Sequence, residues 1–124
     1  VHLIQEPLAA LLGAGVAINR PVGHMVVDIG GGTTDIAVVS MNGIVTARSL
    51  KIAGNRFDQS IIRYVQNKYQ ILLGAKSAEY VKKTLCNLYN PAEDVIAQVK
   101  GRNISRGLPD QCDLSHPFCE ILQK

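Results

Sequence analysis

Met25-Val26-Val27-Asp28-Ile29-Gly30-Gly31-Gly32-Thr33-Thr34-Asp35-Ile36-Ala37-Val38-Val39 is the stretch that decides how the rest of the chain is read. Two runs rich in Val and Ile flank glycines and threonines, with an acid at each end of the turn. β-branched residues fit a pleated surface and glycine clusters bound strands, so the runs read as a paired hairpin. Three consecutive glycines weaken a strand and fill no core, which implies that something approaches this backbone closely. Bare amides in such a bend form an anion-binding concavity, and the hydroxyls of Thr33 and Thr34 add donors. Asp28 leaves the first run towards the same place, where a cation accompanying the anion would sit. Polyphosphate with Mg²⁺ is the economical occupant; a glycine-rich hairpin with no ligand is the alternative. The chain contains neither GxxxxGK[ST] nor GxGxxG.

The bulk composition narrows the field. At 124 residues the chain is long enough for a real core, and 47% hydrophobic with 19% charged residues is ordinary for a folded protein. The net charge of +3 is small, and no basic stripe interleaved with aromatics points to nucleic acid. Cys86, Cys112 and Cys119 make an odd number without a CxxC, which implies a reducing compartment rather than a disulfide framework. His2, His24 and His116 are scattered and lack zinc-ligand spacing. No apolar run approaches the ~20 residues of a membrane span. No signal peptide is visible, and the opening Val-His-Leu-Ile is expected to follow a missing N-terminal stretch.

Outward from the hairpin, Val1 to Ile4 reads as the tail of a strand. Pro7 then opens a helix, with Leu8, Leu11 and Leu12 on one face and Gly13 and Gly15 as its stop. Glu6 sits at that junction, where it either faces a ligand or simply complements the helix dipole. Asn19 to Gly23 is a surface turn. After the second strand, Ser40-Met41-Asn42-Gly43 is a turn, with Asn-Gly as its hairpin signal, so Met25 to Ile52 reads as an antiparallel β-meander. Asn55 reads as a helix cap with Asp58 as its capping acid. Phe57, Ile61, Tyr64, Val65 and Tyr69 form the buried stripe of that helix, which ends over Ile71 to Gly74. Ser77 caps the next helix, with Val81, Leu85 and Leu88 inward and Glu79, Lys82 and Lys83 on a polar side. Asn90-Pro91 ends it. Val95, Ala97 and Val99 alternate as a strand, Gly101 to Asn103 turns, Ile104 to Asp113 reads as turn and edge strand, and Phe118 to Leu122 as a last helix.

The segments EPLAALLGAG, MVVDIGGGTTDIAVVSMNGIVTARSLKIAGNRFDQSIIRYVQNKY, LLGAKSAEYVKKTL and VKGRNISRGLP, in this order, resemble the MreB family of bacterial actins, within the actin, sugar-kinase and heat-shock-chaperone ATPase superfamily. The resemblance implies an α/β chain with part of an actin-like (ribonuclease H-like) ATPase fold. Residues 1–50 would supply the phosphate hairpin of one subdomain, and residues 51–124 a small subdomain contacting adenosine. It implies ATP and Mg²⁺ as cofactors: Asp28 holding Mg²⁺ through water, Gly30, Gly31, Gly32, Thr33 and Thr34 wrapping the phosphates, and Glu79, Lys82 and Lys83 on the adenosine-side helix. Glu6 would orient the attacking water, assisted by Thr33. The sequence departs from the family pattern at Gln5 and Asn55, where acids are usual, and at Thr84 and Cys86.

The function so implied is that of a cytoskeletal ATPase that self-associates into filaments and sets rod cell shape by organising cell-wall synthesis. Its place would be the cytoplasm, at the inner face of the membrane beside membrane-associated synthesis machinery when polymerised. The first phosphate loop and the later adenosine loop of the family are not in this sequence. The chain therefore reads as an internal piece holding half a nucleotide site, expected not to hydrolyse ATP alone. A fragment of a heat-shock-chaperone-type ATPase, or a degenerate non-catalytic remnant, are the competing readings.

Overall fold

The computed structural model describes residues 2–86 and 95–115. The chain divides into two compact units, Val1–Asn55 and Arg56–Lys124; the sequence placed this division at 50/51.

In the first unit, α1 (Glu6–Gly13) is followed by three strands, β1 (His24–Ile29), β2 (Thr34–Ser40) and β3 (Gly43–Leu50), in the order β1-β2-β3 and antiparallel throughout. Residues 2–5 are not a strand, contrary to the reading of Val1–Ile4. Pro7 stands in the first turn of α1, where its missing N–H costs nothing. The helix stops at Gly15, whose φ of +74° lets Val16 N–H reach the Leu11 carbonyl and Gly15 N–H that of Leu12. These two bonds are the Schellman pattern.

Leu11 and Ile18 are buried with Val39, and Leu8, Val26 and Ile44 pack around them, so α1 covers one face of the meander. Leu12, expected on that face, is exposed. The opposite face carries Met25, Val27 and Ile29, which stay 66%, 49% and 63% exposed. The β2–β3 turn is the expected Ser40-Met41-Asn42-Gly43. Met41 (φ +48°) and Asn42 (φ +63°) are its two left-handed residues, and Ser40 pairs with Gly43. Two positive φ angles match the strand twist, as hairpin turns of this length require.

In the second unit, α2 (Gly54–Tyr69) is followed by β4 (Ile71–Leu72), α3 (Ala75–Leu85), β5 (Ile96–Asn103) and β6 (Pro109–Ser115), with sheet order β4-β5-β6. Its core joins Ile61 and Val65 of α2 to Ala78, Val81 and Leu85 of α3, and to Ile71, Leu73, Ala97, Val99 and Leu114. Each buried Ile, Leu or Val of this core contributes roughly 1.5–3 kcal/mol, and the alanines less. Tyr64 and Tyr69 pack on this core partly buried, as the helical spacing predicts.

Four local expectations are corrected. The helix α2 begins at Gly54, so Asn55 lies inside its first turn rather than capping it. It ends at Gln70, whose φ of +57° breaks the helix, and Ile71–Leu72 is strand rather than helix end. α3 starts at Ala75 after Gly74, ahead of Ser77. Gly101 to Asn103 continue β5 instead of turning; the strand pairs there with β4 on one side and β6 on the other. Gly101 permits this close approach, because a Cβ there would lie 2.5 Å from the Ile71 side chain and 2.6 Å from the Leu72 carbonyl oxygen. Leu88, Asn90-Pro91 and the Phe118–Leu122 helix lie outside the described residues.

Candidate functional site

The loop between β1 and β2 is built by hydrogen bonds that turn its carbonyls inward. Gly30 N–H donates to the Thr33 carbonyl at 2.9 Å and closes the turn. The Gly30 carbonyl accepts from Gly54 N–H at 3.2 Å, and the Gly31 carbonyl from Asn55 N–H at 2.8 Å. The start of α2 thus pins the loop by its oxygens. Among the described residues, the amides of Gly31, Gly32 and Thr33 have no partner. Three successive N–H groups without partners carry positive partial charge of the kind that binds anions. The loop is exposed, so water can solvate these amides; an anion replacing that water would gain charge-assisted bonds.

The glycines are not explained by the chain's own geometry. None of Gly30, Gly31 and Gly32 has a φ in the left-handed region. A Cβ on Gly32 would meet nothing within 4 Å, and one on Gly31 would only touch the Asn55 side-chain amide at 3.4 Å. The open space lies on the outside of the loop.

Asp28 of β1 and Asp35 of β2 are Cα partners, so both carboxylates project from the same sheet face at the loop end. Like charges directly opposite each other destabilise a ladder, and among the described residues neither acid has a hydrogen bond or ion pair. Asp35 is the acid at the far end of the turn, and nothing in the motif alone assigns it a role. The hairpin register, which follows from counting outward from the Gly30–Thr33 turn, is the signal that puts it opposite Asp28.

The two threonines separate. Thr33 is exposed with an uncommitted hydroxyl, whereas the Thr34 hydroxyl donates to the Ile52 carbonyl at 2.7 Å. Thr34 therefore ties β2 to the segment after β3, and its proton is not available to a ligand. The Gly30 amide is likewise spent inside the turn. Glu6 is exposed as the first residue of α1, and no hydrogen bond or ion pair joins it to Thr33.

In the second unit, Glu79 and Lys83 pair one helical turn apart at 2.7 Å, both well exposed. The Lys83 ammonium, hydrogen-bonded to Glu79, holds that carboxyl below its ordinary range. Lys82 faces elsewhere. Its ammonium sits between the two oxygens of Asp58 on α2, at 2.9 and 3.1 Å, with side chains 23% and 16% exposed. The expected common polar side of Glu79, Lys82 and Lys83 is thus split, and Asp58 is an inter-helix partner rather than a capping acid. Among the described residues, no group of three or more His, Cys, Asp and Glu is placed to hold a metal ion by itself.

The family model described as MreB/Mbl protein matches residues 1–122. The chain is 45% identical over its whole length to the cell shape-determining protein MreB of Escherichia coli (strain K12), and spans 36% of that protein. It is 46% identical over 88% of its length to the cell shape-determining protein Mbl of Bacillus subtilis (strain 168), covering 33% of it. The crystal structure of MreB 5 of Spiroplasma citri bound to AMPPNP superposes with a TM-score of 0.89 at 42% identity, over 96% of this chain and 36% of that one. The expected actin-like ATPase fold is therefore the fold observed, and the chain spans about a third of the length of the relatives it matches. By motif, sequence identity and superposition alike, the chain belongs to the MreB/Mbl family.

Proposed function

We propose that these residues supply a phosphate-binding half-site of an ATP-dependent, filament-forming cytoskeletal protein that sets cell shape. The observation that carries this reading is the loop at Gly31, Gly32 and Thr33, with all three amides bare and the carbonyls of Gly31 and Thr33 engaged. MreB 5 of Spiroplasma citri, similar over nearly the whole chain, was crystallised with AMPPNP, and the E. coli and B. subtilis relatives are named for determining cell shape. Family membership leaves no place for the chaperone-type reading.

In this reading the three amides and the Thr33 hydroxyl hold oxygens of the β- and γ-phosphates. Asp28, with Asp35 opposite, would hold Mg²⁺; two carboxylates and no closed ligand set suit a hard ion bound mainly through water. The ion, when bound, neutralises charge developing on the phosphates. Glu6 accepts a hydrogen bond from the attacking water and orients it, with Thr33 assisting, because phosphoryl transfer is mostly positioning. Glu79 and Lys83 can exchange their mutual pair for nucleoside contacts at small cost, since both are well exposed and water screens the pair. Lys82, held by Asp58, positions the helix instead. Self-association into filaments, a cytoplasmic location at the membrane's inner face, and contact with membrane-associated cell-wall synthesis machinery belong to the same proposal.

The test is a chimera in which this chain replaces the matched segment of E. coli MreB. Rod shape and ATP hydrolysis should be retained. Glu6→Ala in the chimera should keep nucleotide binding and lose ~10²-fold in single-turnover hydrolysis. Hydrolysis at the parent rate would leave Glu6 a helix-terminal acid and nothing more.

A further inference from the structure

The sheet of the second unit has an edge that stops short. β4 is two residues long and pairs only with Arg102 and Asn103, whereas β5 pairs with β6 in unbroken register from Ile96 to Arg102. Ile104 N–H donates to the Gln70 carbonyl on the β4 side, and Asn103 N–H to the Leu108 carbonyl on the β6 side. Backbone groups alternate sides along a strand, so those of Gln98 and Lys100 point away from β6, past the end of β4. Among the described residues nothing pairs with them there. A groove of about 230 Å³ lies at this stretch, lined by Gln98, Val99 and Lys100 of β5 and by Lys76, Ser77 and Tyr80 of α3. The helix flanks the open edge without filling it.

The groove also has a sign of charge. Lys76 and Lys100 are exposed, neither has an ion pair or side-chain hydrogen bond among the described residues, and no acid lines the groove. The acids of β6, Asp110 and Asp113, accept from Asn103 and Gln98 instead. Tyr80 is exposed and adds an apolar wall. We propose that this edge takes an extended acidic peptide of a partner protein as an added strand beside β5. Main-chain hydrogen bonds to Gln98 and Lys100 give affinity, while Lys76 and Lys100 select acidic side chains and Tyr80 packs against the apolar ones between them. A second copy of this chain fits less well, because edge-to-edge pairing would bring the lysines of one copy against those of the other. A lysine on an edge strand can also serve only to discourage pairing. Peptide binding separates that role from the one proposed.

The test uses the 124-residue chain, ¹⁵N-labelled and titrated with an acetylated, amidated hexapeptide of alternating Glu and Val. The Gln98 and Lys100 amides should shift saturably, and the Val99 amide, which faces β6, should shift less. The matching hexapeptide of alternating Lys and Val should not bind. Lys100→Glu should bind the Glu peptide several-fold more weakly and gain affinity for the Lys peptide. Gln98→Pro removes an edge donor without touching the β5–β6 ladder and should weaken the Glu peptide; either variant suffices should the other fail to fold. Equal binding of the two peptides, or a Lys100→Glu chain with parental preference, overturns the proposal. A Glu peptide that moves no β5 amide overturns it too and leaves Lys100 a guard of the edge. So does sedimentation showing a dimer whose formation shifts the same two amides without peptide, since the edge then belongs to a second copy.

Discussion

Two turns in this chain are rich in glycine, polar residues and acids, yet they are built on opposite plans. The β5–β6 turn spends its polar groups on itself. Asn103 N–H donates to the Leu108 carbonyl and Gly107 N–H to the Asn103 carbonyl; the Asn103 side-chain oxygen accepts from Ser105 and Arg106, and its amide nitrogen donates to Asp110. The hydrogen bond from Asn103, with a second from Gln111 N–H, holds the Asp110 carboxyl below its ordinary range. Gly107 is there because φ is +71°. The β1–β2 turn does the reverse: the carbonyls of Gly30, Gly31 and Thr33 are satisfied, three amides are bare, two acids face each other unpaired, and no glycine needs its conformational freedom. A turn that satisfies itself is scaffold. One that leaves donors of a single sign outward is the turn we propose takes a ligand.

Gly101 adds a third kind of glycine, needed for packing, and the three kinds should respond differently to one added methyl. Gly101→Ala is expected to be the most damaging, since the Cβ would collide with backbone at Leu72; about 2 kcal/mol should be lost in chemical denaturation. Gly107→Ala should cost about 1 kcal/mol, from the left-handed φ alone. Gly32→Ala should change stability by less than about 0.5 kcal/mol, because its Cβ enters open space, while weakening pyrophosphate binding. If Gly32→Ala destabilised as much as Gly107→Ala, the contrast between the two turns would collapse.

The smallest effect belongs to the surface pair on α3. Lys83→Ala should leave the melting temperature nearly unchanged at neutral pH, as both partners are well exposed. The sign of its pH dependence is fixed nonetheless. Glu79 has a lowered folded-state pKa, so whatever the pair contributes is present above the unfolded carboxylate value and disappears as pH falls through the folded one. A variant-to-parent difference that grew in acid would contradict the pairing.

The hairpin, the meander and the helical stripe at Ile61, Tyr64 and Val65 were legible because they rest on local periodicity and turn chemistry. Asp28 and the glycine loop stand out in the sequence for the same reason, as the candidate site we propose. What the sequence hid depends on contacts distant along the chain. Asn55 reads as a cap until the Gly31 carbonyl is seen to take its N–H; Asp58 reads as its companion until Lys82 reaches it from the next helix. Thr34 looks equivalent to Thr33 until Ile52 accepts its proton. Gly101 to Asn103 look like a turn because a glycine between polar residues usually is one; only the pressing neighbour strand explains that glycine. The α2 stop at Gln70 carries no glycine and could not have been read at all.

The central claim is that the Gly31, Gly32 and Thr33 amides are an anion site, and amide resonances report on it directly. With Mg-ATP added to the ¹⁵N-labelled chain, those three amides should move furthest and saturably, while Ser105, Arg106 and Gly107, whose turn is closed on itself, stay put. Loop amides that stay fixed at millimolar nucleotide, or equal shifts in the two turns, would contradict the account.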